Sequence, residues 1–139
     1  MKQKIVFLVV ILACGVVTGC GVAKVTGKVT FEDGSPLTAG TVNFEAESSL
    51  MVGHLQNDGT YTLVGDGKSN GIPKGSYKVY ITNATEDTDR VQASSNPMTQ
   101  SDRKIQRNLI ADKFLSPTTS GLTCNVQGSM TYDITVTPP

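Results

Sequence analysis

Apolar and polar residues alternate along most of this 139-residue chain. Over residues 24–31, Val25, Val29 and Phe31 share one side, and Lys24, Thr26, Lys28 and Thr30 share the other. A period of two marks a strand with one face buried. The same pattern puts Val42 and Phe44 inward over residues 41–45. It recurs with Tyr61 and Leu63, with Tyr77, Val79 and Ile81, with Leu122, Cys124 and Val126, and with Tyr132, Ile134 and Val136. A weaker stretch covers residues 51–56. The count is seven strands. Turn formers separate them: Asp33-Gly34 and Pro36 after the first strand, and a Gly-rich loop over residues 65–75. Asn57-Asp58-Gly59, between the third and fourth strands, predicts a hairpin. Residues 109–115 predict a short helical turn, and no long stretch carries the helical period. Short alternating strands at this spacing predict an all-β chain folded as a β-sandwich, each sheet with one buried and one solvated face.

Two stretches break the alternation. Residues 85–108 are polar, with too few apolar side chains to build core. Their charge is divided, with Glu86, Asp87 and Asp89 at the front and Arg103, Lys104 and Arg107 at the back. Opposite charges facing each other across paired strands are mildly stabilising, so the two halves can pair across a hairpin; the segment reads as a solvated insertion, with a recognition loop as the alternative. The other stretch is N-terminal. Met1-Lys2-Gln3-Lys4 is short and positive, residues 5–14 (IVFLVVILAC) are unbroken apolar, and residues 15–19 turn small. Residues 5–17 number 13, against the ~20 a membrane-spanning helix needs. The pattern is that of an export signal.

Val17-Thr18-Gly19-Cys20 resembles a bacterial lipobox, with Val17 where that signal prefers Leu. The resemblance implies that the Cys20 thiol takes a diacylglyceryl group and that Cys20 becomes the first residue of the mature protein. Residues 1–19 are then a lipoprotein signal peptide, residues 20–23 the lipid anchor and a short tether, and residues 24–139 the folded domain. Two or more acyl chains anchor firmly where one binds reversibly. The expected location is the cell envelope, on the exported face of a bacterial membrane.

Cleavage changes the charge and the cysteine count. The whole chain carries 12 basic and 12 acidic residues; without Lys2 and Lys4 the mature chain has 10 against 12. No basic cluster marks a nucleic-acid surface, and no nucleic-acid partner is expected. Of the three cysteines, Cys14 leaves with the signal and Cys20 is acylated. Cys124 alone remains, without a disulfide partner in its own chain.

Four pieces of the mature chain, in order, resemble one family. VTGKVTFEDGSPLTAGTVNF looks like the start of the carboxypeptidase-regulatory-like domain, also called prealbumin-like or transthyretin-like. GTYTL and IPKGSYKVYI match its next two signatures. ADKFLSPTTSGLTCNV and MTYDITV resemble the closing segment of small bacterial lipoproteins that carry it. The resemblance implies a seven-stranded Greek-key sandwich and a non-catalytic accessory role. Within it, Gly34 and Gly59 suit turns that need positive φ, Leu37 is expected to plug one end, and Tyr77 to return its hydroxyl to loop backbone as a tyrosine corner.

Candidate chemistry is sparse. His54 is the only histidine and alternation places it on an outer face. No nucleophile elbow G-x-S-x-G accompanies it, and one His with one Cys is too few for a zinc site. The urate-pathway hydrolases of the transthyretin-like family rely on several histidines, so that activity is not expected here. Residues 66–71 (DGKSNG) resemble the start of an EF-hand loop, but Lys68 stands at a ligand position and Tyr77 where the bidentate Glu belongs. Cys124 reads as a small buried hydrophobe. No catalytic residue, cofactor or metal is assigned; Cys20 is the one site, for lipidation. The expected function is a membrane-anchored, exported, non-enzymatic binding or structural module of the envelope. Its partners would be the membrane through Cys20 and an envelope protein or carbohydrate. The alternative is a hydrolytic enzyme of unrecognised type on the same fold.

Overall fold

The computed structural model describes residues 21–65, 71–88 and 105–139. The expected lipidation site Cys20, the signal peptide and most of the DGKSNG loop lie outside them. The chain is all-β apart from one 3-10 turn, with ten short strands among the described residues rather than seven. One sheet holds β1 (Val25–Phe31), β4 (Thr60–Thr62), β9 (Met130–Thr131) and β10 (Ile134–Val136). The other runs β3 (Ser49–His54), β2 (Thr41–Ala46), β5 (Gly75–Thr82), β8 (Leu122–Val126). Their inward residues meet in a single core around Val25, Val29, Phe44, Leu63, Val79 and Ile134, an arrangement consistent with a β-sandwich.

The alternating positions behave as their pattern requires. Val25, Val29, Val42, Phe44, Val79, Ile81 and Val136 are fully buried, and Phe31 is half-buried at the end of β1. Leu37 closes that end of the core, its N–H donating to the Val29 carbonyl at 3.0 Å. Gly34 and Gly59 adopt φ of +85° and +79°, conformations cheap only without a Cβ. The turns beside them are locked by aspartates. Asp33 Oδ1 accepts the Ser35 hydroxyl at 2.6 Å, and Asp58 Oδ1 accepts the Thr60 hydroxyl at 2.6 Å. These hydroxyl bonds hold both carboxyls below the usual range. Phe44 packs edge-on against Tyr132, with centroids 5.7 Å apart, the geometry aromatic quadrupoles favour.

Three expectations need correction. The third and fourth strands do not form a hairpin ladder: β3 pairs with β2, and β4 pairs with β1. Asn57-Asp58-Gly59 does make a tight turn, with Gln56 N–H donating to the Thr60 carbonyl, but that turn carries the chain from one sheet to the other. The two strands touch again only at the Val52–Val64 bridge. Local turn chemistry fixes the reversal and not which neighbours the strands take.

The second correction concerns the polar insertion. Its ends form β6 (Thr85–Thr88) and β7 (Ile105–Asn108), an antiparallel pair with Glu86 opposite Arg107. Pairing of the halves is therefore as expected, though the ends are strand where a polar loop was read; residues 89–104 lie outside the described residues. Beyond β7, Asp112–Leu115 form the short helical turn, burying Phe114.

The third correction carries the most physics. The last strand is broken at Tyr132-Asp133, although register is kept: Val25 faces Met130 and Val29 faces Ile134. Tyr132 N–H donates to the Thr26 carbonyl at 2.8 Å. A regular parallel ladder would next join the Lys28 N–H to the Tyr132 carbonyl. Instead that carbonyl turns inward over Gly27 and accepts the Tyr61 hydroxyl at 2.6 Å. The stranded Lys28 N–H is taken by Asp133 Oδ1 at 2.9 Å. Every displaced group finds a partner, as buried backbone demands. Gly27 makes this possible: a Cβ there would collide with the Tyr132 carbonyl and lie 2.8 Å from the Tyr61 ring.

Gly27→Ala is accordingly expected to destabilise the fold by about 1–3 kcal/mol through overpacking. Tyr61→Phe, which leaves the Tyr132 carbonyl without its donor, should cost about 1–2 kcal/mol. Urea unfolding measures both. Burial, with smaller effects from Cys124, Tyr132 and Asp133, raises the Tyr61 pKa far above its usual value. The stability this confers is whole below the unfolded-state pKa of about 10 and is lost as pH rises past it. Wild type should lose stability more steeply above pH ~10 than Tyr61→Phe does; parallel pH profiles would contradict the assignment.

Candidate functional site

The inward turn of Tyr132 shapes the outside of the molecule as well as the inside. Thr26 and Lys28 of β1, and Thr60 and Thr62 of β4, point outward from the first sheet. Asp133, at the break, reaches over to them. Across the gap where β3 and β4 part, Val52, His54 and Gln56 form the opposite wall. The result is an open groove of about 960 Å³. Beside it β3 and β4 share backbone hydrogen bonds only through Gln56–Thr60 and Val52–Val64, with no ladder between them. Between those contacts Gly53 presents no side chain, and the Tyr61 ring and the Thr62 carbonyl stand 3.0 Å from where its Cβ would be. Tyr61 is therefore floor rather than ligand platform, at 2% exposure.

The groove offers hydroxyls, one amide, one imidazole, the Lys28 side chain and the Asp133 carboxylate. His54 is exposed, as alternation predicts, and its Nδ1 lies 3.2 Å from the Thr41 hydroxyl. Its pairing is thus with a threonine on β2. Among the described residues no three His, Cys, Asp or Glu side chains cluster as metal ligands. The arrangement suits polar recognition by hydrogen bonds.

The remaining candidates fall where their patterns put them. Cys124 is buried, with its thiol 3.9 Å from the Met130 sulfur. Burial raises its pKa, so it is a packed, unreactive thiol. Tyr77 donates its hydroxyl to the Pro73 carbonyl at 2.8 Å, four residues upstream, the return to loop backbone expected of it.

Three residues were missed by the sequence reading. Alternation makes Asp133 an ordinary outward position and does not single out Gly27. Both carried a signal: Asp is depleted in strands, and Gly inside a strand marks a bulge or a close approach. Asn43 was placed on a solvated face but is 5% exposed. Its amide donates to the Thr41 carbonyl and the Thr82 hydroxyl, both at 3.0 Å, tying the centre of β2 to β5.

Comparison with known proteins gives little. No family model matches the chain, and no curated protein matches it. Among solved structures, a DUF3823 family protein from Bacteroides ovatus ATCC 8483 is similar at 17% identity with a TM-score of 0.46. The match covers 85% of this chain and 45% of that one, so the chain spans less than half of that protein's length.

Asp133→Ala should release the Lys28 N–H to solvent without unfolding the sheet. Amide hydrogen exchange is expected to speed at Lys28 while Val25 and Val29 stay protected. Protection at Lys28 equal to wild type would contradict the role given to Asp133.

Proposed function

We propose that this protein is an exported lipoprotein, held in a bacterial membrane by acyl chains on Cys20. Its folded body is a Greek-key sandwich of the carboxypeptidase-regulatory-like type. It serves as a non-enzymatic binding or structural module of the cell envelope, and its recognition face is the Thr26–Asp133 groove. The observation that carries the reading is the start of the folded body. Ala23 is 2% exposed and exchanges two backbone hydrogen bonds with Ile72, at 2.8 and 2.9 Å. Ala23, three residues after Cys20, is thus already held in the folded body, which suits a membrane-seated domain anchored at its first mature residue. At ~3.5 Å per residue the tether reaches about 10 Å.

The filled interior supports a surface rather than a cavity as the working part. Phe44, Tyr61, Tyr77 and Tyr132 occupy the space between the sheets, which disfavours a carrier of small ligands. The groove's threonine hydroxyls, Gln56 amide, Lys28 side chain and Asp133 carboxylate match the hydrogen-bonding surface of a carbohydrate or an extended polypeptide of the envelope.

Cys20→Ala is expected to release the protein from membranes or leave it uncleaved. Metabolic labelling with a palmitate analogue should mark wild type alone. Equal labelling of both forms would overturn the lipoprotein reading.

A further inference from the structure

Val22, Leu50 and Val64 are the exposed large apolar side chains among the described residues, at 55%, 51% and 38% exposure. Single exposed apolar residues are ordinary. These three are not scattered. Leu50 and Val52 occupy the same face of β3, and Val52 is bridged to Val64. Gly65 follows Val64, and the Gly71 carbonyl stands 2.6 Å from where a Gly65 Cβ would be. A Gly71 Cβ would in turn meet the Val22 Cβ at 3.1 Å. Leu50, Val52 and Val64 thus form an apolar strip, and Val22 lies at the same end of the molecule beside Gly71. That end is the N-terminal end of β1, where the polypeptide emerges three residues after Cys20.

Charge at this end is of both signs, with the lysines nearest the N-terminus of the folded body and the glutamates farther from it. Lys24 and Lys74 are exposed on either side of the Ala23–Ile72 bridge. Glu45, opposite Leu50 across β2 and β3, and Glu47 end the strip on its far side. Basic side chains beside apolar ones suit an anionic membrane surface, where each Lys adds attraction that decays within a Debye length.

We propose that this end of the sandwich is a membrane-docking face: Val22, Leu50 and Val64 enter the headgroup region of the bilayer, and Lys24 and Lys74 lie along it. The inference rests on the lipid anchor proposed above and adds an orientation to it. A tether of three residues leaves the strip no other surface to meet first. The groove shares Val52 and Val64 with this strip, so that end of it lies against the membrane and the Lys28–Thr60 end points away.

The test uses the full-length lipidated protein with single thiol probes. Cys14 leaves with the signal, Cys20 is acylated and Cys124 is buried, so an introduced cysteine is labelled selectively. Leu50→Cys carries a bimane at the strip, and Glu32→Cys carries one at the opposite end, about 30 Å away at ~3.3 Å per residue. In phosphatidylethanolamine–phosphatidylglycerol vesicles containing a nitroxide-headgroup lipid, the Leu50→Cys probe should lose most of its fluorescence and the Glu32→Cys probe almost none. Vesicle-bound, palmitate-labelled protein whose two probes quench equally, or not at all, overturns the docking and leaves the anchor standing. Protein that takes no palmitate label and washes off the vesicles overturns both. In intact cells, a crosslinker on Leu50→Cys that captures one protein of fixed mass identifies the end as a protein interface, and this also overturns the docking.

Discussion

The inward-turned carbonyl of Tyr132 is the feature on which the two sides of the first sheet depend. Gly27 leaves a gap in the row of inward side chains on β1, and the Tyr61 ring and the Tyr132 carbonyl fill it. The hydroxyl bond between them joins β4 to the β9–β10 strand across β1. The same tyrosine reaches the other sheet: Tyr132 donates its own hydroxyl to the Thr123 carbonyl at 3.1 Å and stands edge-on to Phe44. One residue thereby fixes three strands and the packing of two sheets. The interaction is strong because it is dry. A short bond between a buried hydroxyl and a carbonyl has no water competing for either partner.

The outer surface follows from the inner one. Once the Tyr132 carbonyl has left the ladder, the Lys28 N–H must find another acceptor, and Asp133 supplies it. That draws a carboxylate beside Lys28 at the edge of the groove, where a regular strand would hold neutral alternation. The groove's second wall comes from the parting of β3 and β4, which lets two sheets close toward each other without sharing a ladder. The set of polar groups at the groove is in this sense a by-product of how the core closes.

Much of this was legible in the chain. Strand faces were readable because side-chain direction has a strict period of two, so Val42, Phe44, Val79 and Ile81 declared themselves without any knowledge of their neighbours. The inward Tyr77 and Cys124 and the exposed His54 were legible for the same local reason, whereas Leu37 followed from the family resemblance. What escaped was non-local. Whether β4 pairs with β3 or β1 depends on long-range closure, and the turn Asn57-Asp58-Gly59 is compatible with both. The joint meaning of Gly27 and Asp133 needed residues about a hundred positions apart to be set side by side. Asn43 was hidden because burial on the outer face of a central strand comes from the bulk of its neighbours, which alternation does not record.

Anchoring at Cys20 is the claim from which the location, orientation and role proposed here all descend. Mass spectrometry of the N-terminal peptide from protein purified out of membranes tests it most directly. The account predicts a peptide that begins at Cys20 and carries the added mass of a diacylglyceryl group. A peptide that retains residues 1–19, or one with an unmodified thiol at Cys20, would contradict it.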